Sequence, residues 1–400
     1  MRIRSHIGLI ILAALLTACV YPYDVRPDDG PVLSLVVEFP DEMQTKASVG
    51  EQSALANENK INNLSIWVFD HDAQTHPLIA AKTISVNDAP IAENVWRYAL
   101  RVSTSFAENP SKVDVFVLAN AGATGCSLST GDEAGTACSS YAAVSGAFLQ
   151  DGQGDYNGFG TVSPVRSVTE AGLPMSGCLI NQAVEGEDPQ LSVPTVTLTR
   201  TVSRIRFVFC KAPSNTDIKI SGITLHNGQT IDGTLKGGLI AANEYLFLTN
   251  GGTTNLSGYV TSDFNYFTSQ NAASGTDIAS NADPEALIYG HQDPDAYEQL
   301  LQEALEAGEL TALPSKAQQF TYLRESDKQL TGTISYVVYQ DGGWTSKSQS
   351  FLMEDPGDFA RDHTWTVYAY FLPNTFDLQL QVTVLPWTGY QTSDINTSHL

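Results

Sequence analysis

Val32-Leu33-Ser34-Leu35-Val36-Val37-Glu38-Phe39 sets Leu33, Leu35, Val37 and Phe39 two residues apart, on one face of an extended chain. The run is too short and too rich in β-branched residues to favour a helix, so a strand with one buried face is predicted. The same period recurs outward. Leu64, Ile66 and Val68 alternate with Ser65, Trp67 and Phe69, and Val113, Val115 and Val117 alternate with Asp114, Phe116 and Leu118. Further on, Val196, Leu198 and Val202 hold one parity while Ile205, Phe207 and Phe209 hold the other. A bulge, or a crossover from one sheet to another, produces such a slip, and a domain boundary is placed there, near Arg200.

The second half continues the pattern. Strands are predicted over Ile218 to Leu225, Tyr245 to Leu248, Ile334 to Val338, Trp365 to Phe371 and Leu378 to Val384, with Asp341-Gly342-Gly343 as a hairpin signal. One helix interrupts them at about 294–307: Asp293-Pro294 resembles an N-cap with Pro at N1, Leu300, Leu301, Ala304 and Leu305 share a face, and Gly308 stops it. The reading is an all-β chain of two domains, 32–199 and 200–400, with a short helical insertion in the second. Residues 122–194, rich in Gly, Ser and Thr, are expected to be loops decorating the first sheet, with Leu173-Pro174-Met175-Ser176-Gly177 standing out among them.

The 400 residues carry 21 Lys plus Arg against 44 Asp plus Glu, a net charge of −23, so no nucleic-acid partner is expected. The amino terminus addresses the chain outward. Arg2 and Arg4 precede Ile7–Ala18, an apolar run of 12 residues that is too short to span a bilayer and reads as a signal peptide over 1–18. It ends in Leu16-Thr17-Ala18-Cys19, which resembles a bacterial lipobox, with Cys19 as the lipidated residue. Residues 19–31, with three Pro and three Asp, suit a tether.

Residues 40–60 then form a patternless polar stretch, long for a connection inside a compact domain, and such a loop is either functional or cut. The other cysteines are Cys126, Cys138, Cys178 and Cys210, an even number in an exported chain. A local Cys126–Cys138 bridge with Cys178–Cys210 as its complement is one reading, and unpaired buried thiols are the other.

Enzymatic signatures are missing: the sequence holds no H-E-x-x-H, G-x-S-x-G, phosphate loop or C-x-x-C. Asp70-His71-Asp72 with His76 could ligate a metal, yet polar residues after a strand are commonly solvated turn residues, and no metal site is expected. Asp151, Asp155 and Asn157 lack the spacing of a calcium loop. Arg361-Asp362-His363 has no nucleophile in a recognisable context. Trp67, Trp96, Trp344, Trp365 and Trp387 are read as core rather than as a sugar-stacking platform. No cofactor and no catalytic residue is assigned.

A family resemblance rests on several short pieces in a shared order. These are the lipobox, the first strand, Thr45-Lys46-Ala47, Ile61–Asp70 (I-N-N-L-S-I-W-V-F-D), Val115–Ala121 (V-F-V-L-A-N-A) and Leu173–Gly177. They continue with Leu198–Phe207 (L-T-R-T-V-S-R-I-R-F), Arg361–Tyr368 (R-D-H-T-W-T-V-Y) and Val382–Trp387 (V-T-V-L-P-W). Together they resemble the fimbrillin-type subunits of Bacteroidales type V pili.

The resemblance implies two transthyretin-like β-sandwich domains, lipoprotein export to the outer membrane, and assembly at the cell surface with other fimbrial subunits. In such pili a trypsin-like protease cuts the loop after the first strand, that strand leaves, and a neighbour's strand fills the groove. Mapped here, the cut falls at Lys46, where members cut by arginine-specific proteases carry Arg. The displaced strand is that of Leu33, Leu35, Val37 and Phe39, and the candidate donor strand is that of Leu378, Leu380, Val382 and Val384. The expected role is a non-enzymatic adhesive or structural subunit, at shaft, tip or anchor, with a host or bacterial surface ligand as a further partner. The rival reading is a surface glycan-binding lipoprotein of a nutrient-uptake system.

Overall fold

The computed structural model describes residues 30–39, 57–86, 95–124, 128, 130, 140–147, 168–211, 218–226, 246–247, 264–268, 276–277, 279–280, 321–324, 330–353, 361–371 and 378–386. Cys19, Lys46, Cys126, Cys138, the calcium candidates at 151–157, the helix at about 294–307 and Trp387 lie outside them.

Among the described residues ten strands precede Thr201: β1 (Val32–Glu38), β2 (Asn63–Asp70), β3 (Leu78–Ser85), β4 (Val95–Arg101), β5 (Val113–Ala119), β6 (Met175–Gln182), β7 (Glu185–Glu187), β8 (Gln190–Ser192), β9 (Val196–Thr197) and β10 (Thr199–Arg200). They form two sheets, ordered β4-β1-β8-β7 with β9 also on β1, and β10-β6-β5-β2-β3. Between the two lies one core. Leu33, Leu35, Val37 and Phe39 of the first run meet Leu64, Ile66 and Val68 of β2, Val113, Val115, Val117 and Ala119 of β5, and Trp96, Tyr98 and Leu100 of β4.

The second ten strands are β11 (Val202–Lys211), β12 (Ile218–His226), β13 (Phe264–Thr268), β14 (Thr276–Asp277), β15 (Ala279–Ser280), β16 (Thr321–Arg324), β17 (Leu330–Gln340), β18 (Gly343–Met353), β19 (His363–Phe371) and β20 (Leu378–Pro386). They too make two sheets, β15-β11-β19-β20 with β16 on β11, and β13-β12-β17-β18 with β14 on β12. Phe207 against Phe351 and Tyr336 against Phe371, edge to face, join the two sheets. The hairpin signal holds: Asp341 and Gly342, at φ 51° and 81°, close β17 onto β18 in the two-residue turn that needs positive φ at both positions.

The parity slip near residue 200 is a change of sheet. Within sixteen residues the chain passes from β9 in the first sheet to β10 in the second and β11 in the third, pivoting on Thr201. Three expectations need correction. β2 and β5 are buried on both faces, because Trp67, Phe69, Phe116 and Leu118 on the reverse side are covered by Ala123, Val144, Leu173, Val202, Leu246, Phe247 and Tyr322. Residues 122–194 are loops only in part: 175–182 is a strand that extends the second sheet. Leu246 and Phe247 are a bend, not part of a strand, and plug that reverse-side cluster.

Candidate functional site

β1 runs antiparallel to β4 along its whole length, from Val32 opposite Arg101 to Glu38 opposite Val95. On its other flank Val32–Ser34 pair in parallel with β8, and Val37 and Glu38 pair in parallel with β9. Between those contacts the neighbouring chain swings out at the exposed Pro194 and Thr195, where proline has no N–H to offer the ladder. The amides of Val193 and Leu198 donate to the carbonyls of Ser34 (3.2 Å) and Glu38 (2.8 Å). β1 is therefore an interior strand, walled on both sides. Peeling it from an edge is excluded, and its departure leaves a two-walled slot rather than a shortened sheet.

Burial of its four apolar side chains is worth roughly 6 to 12 kcal/mol at 1.5 to 3 kcal/mol each. That is comparable with the whole stability of a typical domain, so the slot cannot stay empty in a folded protein.

Both ends of the connector that follows β1 converge on buried arginines at the junction of the two halves. Phe39 lies under the Arg200 guanidinium, 4.8 Å from ring centroid to Cζ. Arg200 is fully buried; its Nη1 donates to Asp362 Oδ1 at 2.8 Å and its Nη2 to Asn59. One residue earlier, the buried Glu58 accepts from Arg204 and from the Tyr322 hydroxyl, while Arg204 Nε donates to Thr364 Oγ1 at 2.8 Å. Sequence reading did not find this cluster, because partners that touch directly in it are up to 264 residues apart. Asp362, weighed as catalytic, is the counter-ion of Arg200.

The short family-like motifs meet nearby. Asn120 of V-F-V-L-A-N-A, at φ 54°, donates to the carbonyls of Lys60 (2.8 Å) and Leu173 (2.7 Å) and accepts from the Asn62 amide. It ties the far end of the connector to L-P-M-S-G. Gly177 of that motif sits where β6 crosses β9: a Cβ there would lie 2.3 Å from the Thr197 carbonyl oxygen.

The candidate donor strand β20 pairs with β19 over nine residues, Phe371 opposite Leu378 through His363 opposite Pro386. Leu378 is buried, and in the backbone register Leu380, Val382 and Val384 pair with Ala369, Val367 and Trp365. Among the described residues β19 is its one paired neighbour.

The Cys178–Cys210 pairing is not formed. Cys178 is a thiol opposite Phe116 on β6, whereas Cys210 lies eight residues along β11 from Val202, about 26 Å of strand beyond the cluster that Cys178 packs against. Burial pushes the Cys178 thiol up to about 11, with Arg361 opposing and Asp114 adding to the shift.

The Asp70–His76 turn behaves only partly as predicted. Asp70 Oδ1 accepts from the amides of Asp72 and Ala73, an ordinary turn contact. Both imidazoles, however, reach Asp114, a fully buried carboxylate on the central strand β5. Tyr141 stacks on His76, and burial, then the Asp114 charge, raises its phenol to about 12. Of the tryptophans, Trp67, Trp96 and Trp365 are core, while Trp344 is partly exposed beside Tyr339 on the β17–β18 hairpin.

With this geometry in view, the model of one family, major fimbrial subunit protein (FimA), matches residues 32–200, the two sheets that house the slot. Residues 32–200 are thus similar to fimbrial subunits. Three solved structures are similar to the chain at low identity. The tip fimbrial protein Mfa3 of Porphyromonas gingivalis is 11% identical, with 89% of this chain and 99% of that one covered and a TM-score of 0.45. A fimbrial assembly protein of Parabacteroides distasonis is 15% identical over 89% and 99%, TM-score 0.40. A candidate cell adhesion protein of the same species is 16% identical over 90% and 97%, TM-score 0.49. No curated protein matches the chain.

Proposed function

We propose that this chain is a fimbrillin-type fimbrial subunit, exported as a lipoprotein through Cys19, held at the outer membrane, and assembled with other fimbrial subunits by strand exchange after a cut at Lys46. One observation carries the reading: β1 presents an alternating apolar face in a slot walled by β4 on one side and β8 and β9 on the other. An extended segment of like pattern from another subunit satisfies the same backbone groups and refills the same core. β20 with the chain that follows it is the candidate donor, since its alternation matches and its pairing in its own sheet is one-sided. Cleavage frees β1 from the connector whose far end Asn59 and Glu58 hold.

Limited trypsin treatment of the purified precursor is expected to release an N-terminal fragment ending at Lys46, and Lys46→Gln to abolish it. A first cut elsewhere that leaves β1 attached argues against the processing step. Labelled palmitate is expected in the wild type and not in Cys19→Ser. Labelling that survives this substitution argues against the anchor.

The glycan-binding reading has one observation in its favour, the surface pair Tyr339 and Trp344, rings 5.4 Å apart with Tyr339 41% exposed. Oligosaccharide quenching of fluorescence that disappears in Trp344→Ala would support it.

A further inference from the structure

Asp114 is an anomaly among the carboxylates of this chain. It is fully buried on the central strand β5, at a position where a sheet interior ordinarily takes an apolar residue. One oxygen, Oδ1, is well served: His71 Nδ1 lies 2.8 Å away and the Asn181 amide donates at 2.7 Å. The other, Oδ2, is buried with no hydrogen-bond partner; His76 Nδ1, which also lies 3.1 Å from the Asp70 carbonyl, stands 3.7 Å from it, and the Tyr141 phenol faces the same carboxylate. An orphaned carboxylate oxygen in such a place costs free energy unless a proton or a cation completes it.

Three elements bring the groups together. His71 and His76 come from the β2–β3 turn, which begins where the Asp70 carboxylate caps two amides and is pinned by Asp72 Oδ2 accepting from the Lys112 amide at 3.0 Å. Asp114 follows two residues after Lys112, and Asn181, at φ 58°, aims its amide inward from β6. One nitrogen of each imidazole and a carboxylate oxygen lie within 4.8 Å of one another. Tyr141 stacks on His76 at 4.4 Å and fixes that ring, and the imidazole side chains are 28% and 29% exposed. The carboxylate thus forms a closed floor and the two rings a half-open mouth.

We propose that His71, His76 and Asp114 form a binding site for a zinc-class divalent cation. Two neutral imidazoles and one carboxylate suit zinc or its late first-row neighbours rather than calcium or magnesium, which prefer all-oxygen shells. Binding needs His76 Nδ1 and Oδ2, 3.7 Å apart, to close by only about 0.4 Å to the ~3.3 Å between two ligands of a tetrahedral shell; it releases His76 Nδ1 from the Asp70 carbonyl, replaces the His71–Asp114 contact by two metal bonds, and retains the Asn181 amide as the support that orients the carboxylate. Three protein ligands leave a fourth position at the open mouth, for water or for a side chain of a docked molecule. The reading is independent of strand exchange, because Asp114 shares its parity on β5 with Phe116 and Leu118, on the face of the second sheet opposite the core that Leu33, Leu35 and Val37 fill.

Cobalt(II) titration of the untagged full chain tests it. A visible absorption band of tetrahedral intensity saturating at one equivalent, and displaced by zinc, is expected. His71→Gln and His76→Gln, both on the half-exposed turn, are each expected to weaken binding by about a hundredfold while leaving the far-ultraviolet circular dichroism unchanged. Asp114→Asn keeps the shape of the core and is expected to abolish the band; circular dichroism confirms that this variant folds. No saturable band in the wild type overturns the proposal, and so does a band unaltered in His71→Gln/His76→Gln.

Discussion

Leu35 illustrates what a single side chain contributes to the slot: fully buried at the middle of β1, it faces the core where the β8–β9 flank parts at Pro194. Leu35→Ala is expected to cost 2 to 5 kcal/mol, read as a shift of the denaturation midpoint, and to speed the loss of the N-terminal fragment after the cut at Lys46. A buried thiol makes a second residue-scale prediction. With its pKa at about 11, Cys178 has a hundredth of the thiolate of an ordinary cysteine at pH 8. Alkylation of the Cys178 peptide, followed by mass spectrometry on folded protein, is therefore expected about a hundredfold below that on unfolded protein, with the rate climbing until about pH 11. Single residues were legible in the sequence when their role was local. The alternation of Leu33, Leu35, Val37 and Phe39 announced its own burial, and His71 and His76 stood out as a pair. Asp114 did not, since it reads as the polar face of a strand until the fold covers that face.

Elements were the most legible scale. A strand's period is a property of its own residues, so β1, β2, β5, β11, β12, β17, β19 and β20 follow the predicted parity closely. What the period cannot show is the neighbour. Nothing in Val32–Phe39 tells whether it lies at an edge or inside a sheet; the answer depends on β4, β8 and β9, of which β4 alternates in Trp96, Tyr98 and Leu100 and the other two are only two or three residues long. Gly177 shows the same limit, because its need is set by the crossing of β9. Gly177→Val is expected to force β6 from β9 and destabilise by about 1 to 3 kcal/mol or more, measured by chemical denaturation, while Gly343→Val, which meets no atom within 4 Å, leaves stability nearly unchanged.

At the scale of the molecule, the two halves are joined through buried charge. Glu58 and Asn59, at the far end of the connector, hold Arg204 and Arg200 of the β10–β11 crossing, and Phe39, at its near end, covers Arg200. Glu58→Ala leaves Arg204 and Tyr322 buried without their acceptor and is expected to cost about 3 kcal/mol, with earlier unfolding seen by calorimetry. Under the proposed processing, loss of the segment that ends in Phe39 would uncover Arg200, so the cut would be felt at the junction as well as in the slot.

Light scattering on the precursor after limited trypsin, with and without an excess of a synthetic peptide of residues 32–39, puts the central claim to its most direct test. Oligomers are expected once the first strand has been cut free, and the peptide, by reoccupying the slot between β4 and β9, is expected to hold the protein monomeric. A cut protein that stays monomeric without peptide, or oligomers that the peptide leaves untouched, would contradict the account.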